Sequence, residues 1–79
     1  MVLSHATAGP WRHNANNPTR IIGPDDQTVA AVYGGKVGYD IQYANAHLIA
    51  SVPDLFSYVK KKAASGDKEA QSILASIES

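Results

Sequence analysis

Cysteine is absent from the 79-residue chain, and with it go disulfides, thiolate nucleophiles, iron–sulfur clusters and Cys-rich zinc sites. Large aromatic residues are scarce: one Trp, one Phe and four Tyr. Hydrophobic residues reach 44% of the sequence, but many of them are Ala, so any core is thin. Neither sign of charge is in excess, since seven Lys plus Arg balance seven Asp plus Glu. A chain so balanced has no overall field to draw it onto nucleic acid or anionic lipid. No run approaches the ~20 apolar residues of a membrane span. Met1-Val2-Leu3-Ser4-His5 also lacks the basic start and apolar core of a signal peptide. A soluble protein of a reducing cytoplasm is expected, with no membrane partner.

The length excludes a two-domain enzyme with a cleft, and a chain this short can hardly shield a reaction centre from water. No catalytic residue and no cofactor are therefore expected. At this size folding buries only ~60–65% of the surface of the unfolded chain, while ordering costs about 1.5 kcal/mol per residue. The two nearly cancel, so self-association is expected, most simply as a twofold dimer.

What is present is a change of period along the chain. Residues 1–9 have no periodicity and read as a flexible arm, and residues 10–79 as a single α+β domain. Three short strands are expected near Trp11 to Asn14, Thr19 to Ile22 and Thr28 to Tyr33, separated by the turn formers Asn14 to Pro18 and Gly23-Pro24-Asp25-Asp26. Gly34-Gly35-Lys36-Val37-Gly38 breaks regular structure and reads as a mobile loop. The period then becomes helical: Ile41, Ala44, Leu48, Ile49 and Val52 trace one side of a helix that Asp40 would cap. Pro53 ends or kinks that helix and suits the first turn of the next, which Lys60-Lys61-Lys62 closes. Gly66 is a stop, and Asp67 caps a last helix carrying Ala70, Ile73, Leu74 and Ile77. The expected fold class is α+β, a three-stranded antiparallel meander followed by two or three helices packed on one face.

Candidate chemistry is sparse. The glycine loop resembles a phosphate cradle only superficially, because Ala30 and Val37 stand where a Walker A motif needs Gly and Ser or Thr. His5, His13 and His47 match no zinc spacing, so no metal is expected, and His47 reads as a surface or interface residue. The lysine run reads as a complement to a helix dipole on a solvated surface. Arg12, His13, Arg20, Tyr33 and Lys36 are the candidate ligand- or partner-binding residues, since guanidinium and aromatic groups suit both phosphate and base contact and interface hot spots. Trp11 reads as a structural plug between sheet and helix.

Thr7-Ala8-Gly9-Pro10-Trp11, Asp26-Gln27-Thr28-Val29-Ala30 and Ala44-Asn45-Ala46-His47-Leu48-Ile49-Ala50-Ser51-Val52-Pro53-Asp54-Leu55 carry a resemblance. Together they resemble short proteins of tailed phages and prophages that share a GPW start and an ANAxLIAAAPxLL helix. This chain departs from that pattern by Asp26-Gln27 where a turn Gly is usual, by Ser51-Val52 for two alanines, and by an added helix after Gly66. In the shared pattern Leu48 and Ile49 read as core residues, Pro53 as the helix end, and Asn45 as an amide that needs partners if buried.

The resemblance implies a phage accessory protein without catalysis. The function expected is that of a binding protein that occupies a host target, as a counter-defence inhibitor. That target is either a host defence protein, as for anti-CRISPR proteins, or a nucleotide immune signal held by a sponge. The seven scattered acids argue against DNA mimicry. A nucleic-acid-binding accessory protein and a structural homo-oligomer without a ligand are the competing classes.

Overall fold

A computed structural model describes residues 2–78. After a short 3-10 turn at Val2–His5 come β1 (Arg12–Asn14), β2 (Asn17–Ile22), β3 (Thr28–Ala31), α1 (Tyr39–Ala50), α2 (Val52–Ala64) and α3 (Lys68–Glu78). The strands form an antiparallel sheet in the order β1-β2-β3, and α1 packs on β2 and β1. The fold is α+β, with a three-stranded meander ahead of three helices. The chain forms two compact units, one of Thr7–Pro53 and one running from Asp54 onward together with the N-terminal turn.

Two turns set the sheet. The first is tighter than the Asn-rich stretch suggests: Asn14 pairs with Asn17, and the Asn14 side-chain oxygen accepts a bond from the Asn16 N–H at 2.8 Å. An Asx turn therefore lets β2 begin at Asn17 rather than Thr19. The second turn closes through Gly23 N–H to Gln27 O at 2.9 Å and places Asp26 at φ 62°. Asp is among the few residues other than glycine that adopt this left-handed conformation readily. Arg12 secures the turn by donating to the Gly23 carbonyl at 3.1 Å and pairing with the Asp26 carboxylate.

The third strand stops at Ala31, short of Tyr33, although the Val32 N–H still reaches Thr19 O. The chain then turns at residues 34–37, closed by Val37 N–H to Gly34 O at 2.9 Å, with Gly35 at φ 56°. Gln42 ties this connection to the helix, its amide donating to the Val32 carbonyl at 2.6 Å.

Helix α1 corrects the sequence reading in two ways. Its N-cap is Gly38 without a side-chain bond, and Asp40 lies in the first turn, where its charge suits the helix dipole. The side turned to the sheet carries Gln42, Ala46, Ile49 and Ala50, with Ala46 wholly buried. Leu48 is 63% exposed and Ile41 53% exposed, so the expected apolar stripe faces largely outward and Leu48 does not fill the core. Ala46 and Ala50 on that side let the helix lie close to the sheet, since close approach favours the smallest side chains, with Ile49 half-buried beside them. Asn45 is exposed, so its amide is open to solvent.

Local signals elsewhere coincide with the structure. Pro53 occupies the first turn of α2, whereas α1 ends at Ala50 with Ser51 as its C-cap, so that Val52, expected on the α1 stripe, opens α2 instead. Gly66 adopts φ 100°, and the Asp67 carboxylate accepts from the Ala70 N–H at 2.9 Å at the start of α3. Trp11 is half-buried and donates its indole N–H to Thr7 O at 3.1 Å. A Cβ added at Gly9 would come within 2.7 Å of the Pro53 Cβ, so the segment before Trp11 lies against Pro53.

Candidate functional site

The period that aims Ala46 at the sheet carries Asp40, Tyr43, Ala44, His47, Leu48 and Ser51 onto another side of α1. These six residues line an open groove of about 480 Å³ whose walls are mainly apolar. Asp40 supplies the only fixed charge of the lining, and it is negative.

One edge of the groove meets β1. His13 stands opposite Ile21 in the sheet register, on the strand that α1 overlies, and reaches His47 across 34 positions of sequence. The His13 Nδ1–H donates to the Pro18 carbonyl at 2.7 Å, which fixes the tautomer because that oxygen can only accept. In neutral His13 the Nε2 is then an acceptor, and it faces His47 Nδ1 at 2.7 Å, so His47 carries the proton of that bond. The two rings stack at 4.7 Å between centroids. Tyr43 leans on both, at 5.4 Å from His13 and 5.8 Å from His47. Tyr39 extends the row, nearly parallel to Tyr43 at 6.1 Å.

Tyr39, Tyr43 and His47 recur every four residues, so a helix must present them together. That spacing was available in the sequence, whereas their junction with His13 was not. Side chains fixed by mutual contact lose less freedom on binding, and tyrosine on a rigid helix is a favourable interface residue.

Of the sequence-derived candidates, His13 alone joins this cluster. Arg12 is engaged with Gly23 and Asp26 in the turn. Arg20 is exposed opposite Ala31 on β2, Tyr33 is 88% exposed beyond β3, and Lys36 lies in the turn before α1. Among the described residues, no hydrogen bond or ring contact joins these three to the imidazoles. No group of three His, Asp or Glu able to hold a metal occurs among the described residues.

Fold and surface together define a small α+β protein, with an aromatic and imidazole row beside an apolar helix groove. The family model described as Salmonella phage P22 protein Y8K6 matches residues 1–78, and the chain belongs to that family. No curated protein and no solved structure matches it. No helix among the described residues is long and apolar enough to cross a membrane.

Proposed function

We propose that this chain is a non-enzymatic binding protein that occupies a host protein through the outer face of α1. The observation that carries this reading is Leu48, 63% exposed beside the packed Tyr43 and His47 on a helix whose other side is anchored to the sheet. A partner suited to the groove presents an apolar side chain with a cationic group beside it to meet Asp40. The same negative charge weighs against an anionic nucleotide, and Arg20, Tyr33 and Lys36 are not gathered into a pocket for one. Membership of a phage family supports a host target, and the finer form of the reading is inhibition of a bacterial defence complex.

Native mass spectrometry of the protein recovered from infected cells is the test. The wild type and Arg20→Ala are expected to carry one and the same host protein. Leu48→Asp should lose it, with binding weaker by about 30-fold or more, as for a central interface residue. A partner retained by Leu48→Asp contradicts the proposal, as does a bound nucleotide without protein. Bound nucleic acid released by raised salt would favour the competing class instead.

A further inference from the structure

Helix α2 has no wholly buried residue. Phe56, Val59 and Ala63 are half-buried on one side, whereas Asp54, Leu55, Tyr58, Lys61 and Lys62 are exposed on another. The second set is spaced at i, i+1, i+4, i+7 and i+8, which places it on a single face. Leu55 is 54% and Tyr58 60% exposed, and the Lys62 Nζ sits 5.8 Å from the centre of the Tyr58 ring.

Charge along this face is ordered. Asp54 stands in the first turn, and Lys61 and Lys62 stand in the last. We propose that this face pairs with the same face of a second copy of the chain, antiparallel, about a twofold axis at Tyr58. In that arrangement Asp54 meets the partner's Lys62 on both sides of the axis. Leu55 lies under the aliphatic stem of the partner's Lys61, and the two tyrosine rings meet at the centre. A parallel pairing would set lysine against lysine and align the two helix dipoles, so the charge order selects the antiparallel one. An isologous contact of this kind closes on itself and yields a dimer rather than a filament. The face from Asp54 to Lys62 is only about 12 Å long. The dimer is accordingly concentration-dependent, smaller in area than standard stable interfaces. It uses no residue of the α1 groove, and its test does not depend on the host-partner proposal.

Sedimentation equilibrium of the full chain at several concentrations and two salt levels tests it, with circular dichroism as the check on folding. The wild type should dimerise, less strongly at high salt. Asp54→Lys and Lys62→Glu should each weaken the dimer about tenfold by turning two attractive pairs repulsive. The double variant carrying both changes should recover most of the loss, and Leu55→Asp should give a folded monomer. Three results overturn the proposal: a monomer for the wild type at every concentration, a dimer indifferent to Leu55→Asp, or charge reversals that add instead of compensating.

Discussion

Ile21→Ala is expected to cost about 2–4 kcal/mol and to lower the melting temperature by ~10–25 °C, as read by far-ultraviolet circular dichroism. Ile21 is fully buried, and within the unit of Thr7–Pro53 only Ile22 and Ala46 join it as buried hydrophobic residues. Truncation removes three methyl or methylene groups from the middle strand, directly below the helix that packs on it. Few other side chains remain to close the void, and a chain with so slight a core has little stability in reserve.

The second large effect comes from adding atoms. Ala46→Leu should destabilise by about 2–3 kcal/mol although leucine is a good helix former, because Ala46 has no exposed surface and α1 lies close to the sheet. Ala44→Leu is the control two positions away. Ala44 is exposed on the groove side, so that change should leave the unfolding free energy from urea titration within about 0.5 kcal/mol of wild type. Equal losses from the two substitutions would mean that α1 is rotated about its axis relative to this description.

These two alanines mark where the sequence stops being informative. Features set by local chemistry are legible in it: the proline at the start of α2, the left-handed Gly66, the Asp67 cap, and the turns that divide the sheet. The orientation of α1 is not. Ile41, Ala44, Ala46, Leu48, Ile49 and Ala50 supply apolar side chains nearly all round that helix, so periodicity alone cannot pick the inner side. The larger residues suggest the wrong one. Close packing selects alanine for the inside, and the polar Gln42 is tolerated there because Val32 offers it a carbonyl.

The candidate site divides in the same way. His13 is recognisable from composition, but its partner His47 lies 34 residues on, and only the packing of α1 over β1 joins them. Arg12 has the chemistry of a ligand contact, yet the turn it fastens contains Asp26 at positive φ, and the pair across that turn occupies the guanidinium. Trp11 donates its indole N–H to the Thr7 carbonyl, and Pro53 lies against Gly9.

Helix α1 commits one side to the sheet and leaves another exposed for a partner. Urea denaturation of Leu48→Asp, run beside Ile21→Ala, tests that division most directly. A loss of unfolding free energy of no more than about 1 kcal/mol is expected, the cost of a poorer helix former and a negative charge near the C-terminal end of α1 rather than of a buried charge. A loss of the size seen for Ile21→Ala would place Leu48 inside the fold and remove the surface through which the protein is proposed to act.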